Sequence, residues 1–211
     1  VKRLYRSSQK KASYVFFQNK EDRNLFLKEN LISKNISQKV IPGTGIDAER
    51  FSPKPYPDDN PITFLLLARL IWDKGVGEFV DAARKIKSEY NNVHFQLIGF
   101  LEVKNRTAIS SQQVEEWEVE GVIEYLGEKE DVRSYIEKAS CIVLPSYREG
   151  LPRTLLEAAS MAGPERPRRG ISGAFVGIVA NAPNDHLGCT RLIACPLIAA
   201  CFTDCRGSTD G

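Results

Sequence analysis

The sequence predicts an α/β fold, a parallel sheet with flanking helices, and three observations carry that prediction. Pro61-Ile-Thr-Phe-Leu-Leu-Leu-Ala68 is a continuous apolar run, as a strand buried on both faces of a parallel sheet requires. From Lys74 to Tyr90 apolar residues fall at Val76, Phe79, Val80, Ala83 and Ile86 with charges between them, which is helical spacing. Strand-like and helix-like segments then alternate as far as Leu144, the pattern of βαβ units on one sheet.

Each element follows from its local composition. Tyr14-Val-Phe-Phe-Gln18 reads as a strand and residues 21–31 as a helix. After the run at 61–68 and the helix at 74–90, Val93-His-Phe-Gln-Leu-Ile98 is a second strand of the main sheet, closed by Gly99. His94 falls on the face opposite Val93, Phe95 and Leu97, a structural position. Residues 110–120 form a helix, Val122-Ile-Glu-Tyr-Leu126 a third strand, Asp131 caps a short helix to Ser140, and residues 141–144 are a fourth strand. Pro152 fits the first position of the next helix, where its missing N–H and fixed φ cost nothing. The leucines and alanines after it are good helix formers. Sheets of this kind bind ligands at the carboxyl ends of their strands, where Arg69, Gly99, Gly127 and Glu149 fall.

Glu149 and Glu157 bracket Gly-Leu-Pro-Arg-Thr-Leu-Leu. Glu149 belongs to a loop and Glu157 to the second turn of the helix, so about 12 Å separates the two carboxylates at the helical rise. A glycosidase pair needs roughly 5–10 Å. The wider spacing suits a ligand gripped at two ends with its middle over the helix N-terminus, whose free N–H groups favour an anion such as a diphosphate. A sugar nucleotide has that shape.

Composition excludes several classes. The net charge of +2 is too small to argue for nucleic acid. Lys2, Arg3, Arg6, Lys10 and Lys11 cluster near the start; a solvated helix face is the first reading, and a peripheral contact with an anionic membrane the functional one. Apolar runs fall short of the roughly 18 residues of a spanning helix. Cys189, Cys195, Cys201 and Cys205 match no zinc spacing, so metal is expected to be none. Ser146 lacks a G-x-S-x-G context, which leaves a hydrolase triad unsupported. Without G-x-G-x-x-G after the first strand, an epimerase-type dinucleotide site is unsupported too.

Three motifs together resemble one family. Pro145-Ser-Tyr-Arg-Glu-Gly-Leu-Pro-Arg-Thr-Leu-Leu-Glu157 looks like the E-x7-E signature of the retaining group 1 glycosyltransferases, which pair two Rossmann-like domains in the GT-B fold. Ala68-Arg-Leu-Ile-Trp-Asp-Lys-Gly75 resembles the family's G-R-L-x-x-x-K-G loop, with Ala68 in place of the first Gly. Val40-Ile-Pro-Gly-Thr-Gly-Ile-Asp47 followed by Phe51 resembles its interdomain segment. The resemblance covers about residues 13–162.

It implies an anomer-retaining transfer of a hexose from a nucleotide-diphosphate sugar, a UDP-sugar favoured over a GDP-sugar, to a glycan or lipid-linked acceptor. Arg69 and Lys74 would contact the diphosphate and Glu149 the hexose, as catalytic groups. Glu157 would accept from the ribose hydroxyls, Gly150 and Leu151 offer backbone N–H groups, and Gly127 and Glu128 seat the base. No cofactor is expected, because the two cations replace a metal. The setting implied is the cytoplasm, peripheral at the inner membrane face. Residues 1–40 would be a remnant of an acceptor domain, 41–60 an interdomain segment and 61–162 the Rossmann-like donor domain. A chain of 211 residues is short for both domains, so the fragment by itself is expected to be inactive; a non-catalytic nucleotide-binding or vestigial module is the alternative. Lysine is absent after Lys138, and beyond Met161 the family's G-x-P, strand and Pro-Gly loop are not visible. Residues 163–211 therefore read as a frameshifted or non-native end, although 174–180 could serve as a strand and 190–202 as an apolar helix.

Overall fold

The computed structural model describes residues 2–41, 43–55, 60–101, 104–147 and 149–162, and the backbone of Phe175–Ile178. It divides into two compact units. The first comprises Val1–Ile46 with Glu149–Arg153, the second Asp47–Arg148 with Thr154–Gly211.

In the first unit, α1 (Lys2–Gln9), β1 (Tyr14–Phe17), α2 (Lys20–Lys28) and β2 (Ser37–Val40) follow in order. β1 and β2 pair in parallel, with Tyr14 opposite Ser37 and Phe17 opposite Val40. The sequence leaves residues 37–40 without an element, because Ser-Gln-Lys-Val has only one apolar residue to signal a strand. Asn19 caps α2 by accepting from the Asp22 N–H at 2.6 Å, satisfying one of the free donors of the first turn. α2 stops at Lys28, short of the expected Leu31. Asn30 takes a left-handed φ of 51°, and the N–H groups of Asn30 and Leu31 donate to Leu27 O and Phe26 O at 3.1 and 2.9 Å, which is a Schellman stop. The Phe26 ring meets Tyr5 and Phe17 edge-on at 5.1 and 5.4 Å. Lys2 pairs with Glu29 at 2.7 Å, and Arg6 donates to the carbonyls of Glu29 and Asn30 at 2.9 and 3.1 Å. Two members of the basic cluster thus hold α1 to the carbonyl end of α2, where cations are favoured.

The second unit runs β3 (Ile62–Leu67), one 3-10 turn (Trp72–Lys74), α3 (Val76–Glu89), β4 (Val93–Ile98), α4 (Ser111–Val119), β5 (Glu124–Tyr125), α5 (Arg133–Lys138), β6 (Cys141–Leu144), α6 (Arg153–Met161) and β7 (Phe175–Ile178). The sheet order is β5-β4-β3-β6-β7, with every neighbouring pair parallel. The chain steps outward from β3 to β4 and β5, then returns to the other side of β3 for β6. The switch point lies between β3 and β6.

Alternate residues of β3 feed two cores. Phe64 and Leu66 pack with Phe79, Val80, Ala83 and Ile86 of α3 and with Val114 and Trp117 of α4. Leu65 and Leu67 pack with Ile136 of α5 and with Leu155, Ala158 and Met161 of α6. Phe64, Leu65 and Leu66 are fully buried, which is why their stretch shows no alternation in the sequence. Phe95 stacks on Phe64 at 4.7 Å and meets Phe79 edge-on at 5.4 Å.

Boundaries shift where a cap decides them. Ser110 is the N-cap of α4, accepting from the Gln113 N–H at 3.2 Å. β5 shrinks to two residues. Asp131 sits one position before the N-cap Val132, and its carboxylate accepts from the Arg133 N–H at 3.0 Å; it closes the entry loop instead of capping α5. Pro152 precedes α6, which opens at Arg153. β7 pairs with β6 from Cys141–Phe175 to Leu144–Ile178, so the strand foreseen within 174–180 is present in the backbone. The rest of the tail, including the apolar helix foreseen at 190–202, lies outside the described residues.

Gly75 joins the 3-10 turn to α3 with φ of 72°, and a Cβ there would lie 2.1 Å from the Pro145 carbonyl oxygen. Gly75→Ala is expected to cost about 2 kcal/mol or more, from left-handed strain of about 1–2 kcal/mol and a backbone clash added to it. Chemical denaturation of parent and variant measures the difference.

Candidate functional site

The carboxyl ends of β3 and β4 open onto a cavity of about 230 Å³. Leu67, Ala68, Ile98, Phe100 and Val132 supply its apolar surface, and Arg69, Glu128, Lys129 and Thr154 its polar one. Whole small-molecule sites run to roughly 300–1,000 Å³, so this space by itself is smaller than such a site. The cavity sits at the end of the sheet where doubly wound folds bind ligands.

Tight backbone packing shapes its floor. A Cβ on Gly99 would lie 1.7 Å from the Ala68 carbonyl oxygen, so only glycine lets the ends of β3 and β4 come this close. The Tyr125 hydroxyl donates to Gly99 O at 2.8 Å, and Gly99 N–H donates to Gly127 O at 3.2 Å. Burial, with the carboxylates of Glu128 and Glu118 adding to it, raises the Tyr125 hydroxyl above its ordinary range. It stays protonated, a donor to the Gly99 carbonyl. Beside Val132, the Arg133 guanidinium and N–H hold the Asp131 carboxyl well below the usual carboxylate range.

The loop between β3 and α3 carries Arg69 and Lys74. Arg69 is exposed and Lys74 half-buried. Ile109 N–H donates to Leu70 O at 3.0 Å and Trp72 N–H to Thr107 O at 2.8 Å, so the segment after β4 runs antiparallel along this loop. On its other side, Tyr147 N–H donates to Asp73 O at 3.0 Å. The Ser146 hydroxyl donates to the same carbonyl at 3.2 Å, and Tyr147 hydroxyl donates to the Glu78 carboxylate of α3. Ser146 is only 2% exposed; its hydroxyl is a structural donor.

The sequence-derived residues fall into two groups. Arg69, Lys74, Gly127, Glu128 and Glu157 belong to the second unit, whereas Glu149, Gly150 and Leu151 fold with the first. Within the second unit Arg69 and Glu128 share the cavity, with Gly127 hydrogen-bonded to its floor. Lys74 lies at the end of the 3-10 turn and Glu157 in the second turn of α6, both outside the cavity lining. Within the first unit, Leu151 lies against Gly43 and Gly150 against Gln18, where an added Cβ would meet each neighbour at 2.1 Å. Sequence reasoning missed Phe100, Lys129 and Thr154 in the lining, and Asp73, Thr107 and Tyr147 beside the loop. Tyr147 and Thr154 lay inside one motif and Asp73 inside another; Phe100, Thr107 and Lys129 carried no local signal. Among the described residues, no three His, Cys, Asp or Glu side chains are grouped to hold a metal ion, and no helix is long and apolar enough to cross a membrane.

This parallel sheet, with its cavity at the carboxyl ends of its strands, is the architecture of one Rossmann-like half of a GT-B fold. The family model described as "Glycosyl transferases group 1" matches residues 47–164, more than half of the chain, and the chain belongs to that family. It is 31% identical over 206 residues to the Campylobacter jejuni N,N'-diacetylbacillosaminyl-diphospho-undecaprenol alpha-1,3-N-acetylgalactosaminyltransferase, covering 87% of this chain and 51% of that one. A putative colanic acid biosynthesis glycosyltransferase of Escherichia coli, WcaL, is 30% identical over 131 residues, covering 57% of this chain and 31% of its own. The chain thus spans about half the length of the first relative and less of the second. Among solved structures, Anabaena HepE in complex with UDP-glucose superposes with a TM-score of 0.61 at 18% identity, over 75% of this chain and 46% of that chain. Staphylococcus aureus TarM gives 0.59 at 16%, over 75% and 30%. At these identities the likeness is one of fold.

Tyr147 gives a test of the loop contacts. Its hydroxyl is pushed up to about 12 by the bond to Glu78, then by burial and the Asp73 charge. The folded value is raised above the ordinary 10, so the stabilisation is complete below pH 10 and is lost as pH rises through the folded value. The melting-temperature gap between the parent and Tyr147→Phe is expected to be constant at neutral pH and to shrink between pH 10 and 12. Thermal melts of both proteins across that range measure it.

Proposed function

We propose that this chain supplies the donor-binding part of an anomer-retaining hexosyltransferase that uses a nucleotide-diphosphate sugar, a UDP-sugar before a GDP-sugar. The observation that carries the reading is the cavity at the carboxyl ends of β3 and β4 with Arg69 on its rim. Family membership and the E-x7-E spacing of Glu149 and Glu157 support it.

The chemistry asks for fixed positive charge. As the glycosidic bond breaks, the departing nucleoside diphosphate gains charge, and cations placed in advance stabilise it more than water can. Arg69 offers a planar fork matched to phosphate and Lys74 a compact point charge. In this reading both act on the diphosphate in place of a metal, Glu149 binds the hexose hydroxyls, and Glu157 accepts from the ribose. Gly150 and Leu151 donate backbone N–H groups, while Gly127 and Glu128 border the base. The acceptor is a glycan or a lipid-linked sugar, a class supported by the diphospho-undecaprenol substrate in the first relative's name. That acceptor class puts the work in the cytoplasm, peripheral to the inner membrane face.

Calorimetry with uridine, guanosine and adenosine diphosphates tests the ligand class, with the uridine form expected to bind tightest. Arg69→Ala is expected to weaken nucleoside diphosphate binding more than about tenfold, the loss of one charge-assisted bond of roughly 1.5–3 kcal/mol. Equal affinity in parent and variant would sink the phosphate role.

The two glutamates divide the ligand. Glu157→Gln is expected to penalise nucleotide binding and spare inorganic pyrophosphate, whereas Glu149→Gln penalises the intact sugar nucleotide more than the free diphosphate. Titration of each variant with all three ligands decides; an equal loss of all three makes the glutamates structural.

A further inference from the structure

The loop of Arg69 and Lys74 is anchored at Asp73 twice, by Thr107, which lies outside the three motifs, and by Ser146, which lies inside the E-x7-E stretch but was given no binding role there. Thr107 Oγ lies 2.7 Å from Asp73 Oδ2 and 3.3 Å from Asn105 Oδ1. A hydroxyl has one proton to donate, and the shorter, ionised acceptor takes it. Asn105 is occupied otherwise, accepting from the Thr107 N–H at 3.2 Å. From the opposite side, the buried Ser146 hydroxyl reaches the Asp73 carbonyl at 3.2 Å. One residue is therefore held by its side chain from the segment after β4, and by its backbone from the segment after β6. The residue next to it is Lys74.

We propose that Thr107 and Ser146 are positioning residues: through Asp73 they hold the 3-10 turn Trp72–Lys74 in the conformation that presents its cation to a diphosphate. The proposal rests on the diphosphate reading of Arg69 and Lys74. Its physical content is preorganisation. Holding a residue's backbone in one conformation costs roughly 1–2 kcal/mol, and a turn already held does not charge that cost to ligand binding. The Thr107 hydroxyl occupies one oxygen of the Asp73 carboxylate.

The test uses the chain with Thr107→Val, which keeps the shape and removes the hydroxyl, and Thr107→Ser, which restores it. Dissociation constants for UDP and inorganic pyrophosphate come from calorimetry, and that for uridine from ligand-observed NMR. Thr107→Val is expected to weaken UDP and pyrophosphate by the same factor, about tenfold for roughly one residue's ordering. Uridine, which lacks the diphosphate, keeps its affinity, and Thr107→Ser returns both anions to within about twofold of the parent. A general loosening of the fold would weaken uridine as well, so that result overturns the proposal. Unchanged anion affinity in Thr107→Val overturns it too. Should that variant fail to fold, Ser146→Ala decides, since it removes only a buried hydroxyl: the same loss on both anions with uridine spared supports the proposal, and parent-like binding ends it. A parent chain that binds neither UDP nor pyrophosphate overturns the diphosphate reading itself, and the positioning role with it.

Discussion

β3 is hydrogen-bonded on both edges, to β4 over six register pairs and to β6 from Phe64–Cys141 onward, while both of its faces are apolar. That double pairing organises the second unit. Because the chain leaves β3 to one side and returns on the other, the loops after β3 and β6 emerge next to each other at the switch point. A strand at the edge of the sheet, such as β5, leaves its following loop a neighbouring strand end on one side only. At the centre, the turn of Trp72–Lys74 is packed against the end of β6, so closely that Gly75 admits no side chain against Pro145 O.

The same constraint explains the division of labour among the helices. α3 and α4 cover one face and α5 and α6 the other. The ends of β3 and β4 are left open to solvent between α6, through Thr154, and the segment after β5, through Glu128 and Lys129. Of its lining, Leu67 and Ile98 are buried, whereas Arg69, Glu128 and Phe100 are exposed. Carbonyl–amide and hydroxyl contacts, not ion pairs, fix the floor: Gly99 and Gly127 are joined through their backbones, with Tyr125 adding a donor to Gly99 O.

Polar side chains buried in this unit have fixed structural duties. Ser140 and Ser146 are the buried polar residues among those described. Ser140 Oγ accepts from the Thr63 N–H at 3.0 Å, joining the start of β6 to β3, and Ser146 donates to Asp73 O at the other end of the same strand. The two hydroxyls thus bracket the β3–β6 junction. A polar group in such a place is retained because an unpaired backbone N–H or C=O would cost more to bury than the hydroxyl does.

The sequence by itself determined the kind of each main element and the motif residues at their ends. The apolar run at 61–68, the helical spacing through Ile86, and the match of Val93–Ile98 and Cys141–Leu144 to their strands all follow from periodicity. Periodicity is local: it records which faces of a segment meet apolar neighbours. Ala68 to Gly75 and Glu149 to Glu157 could be read as loops and a helix start for the same reason. Strand order, the folding of Glu149–Arg153 with the first unit, and the meeting of Lys129, Thr154 and Phe100 at one cavity depend on pairings between residues far apart in the chain. A hydrogen bond such as Thr107 to Asp73 spans 34 positions, and no spacing rule encodes it. The ends of elements shifted likewise: β5 contracted to Glu124–Tyr125 and α2 stopped at Lys28, because pairing and the Asn30 turn set those limits. Propensity names the element, and only the packed chain decides what stands beside it.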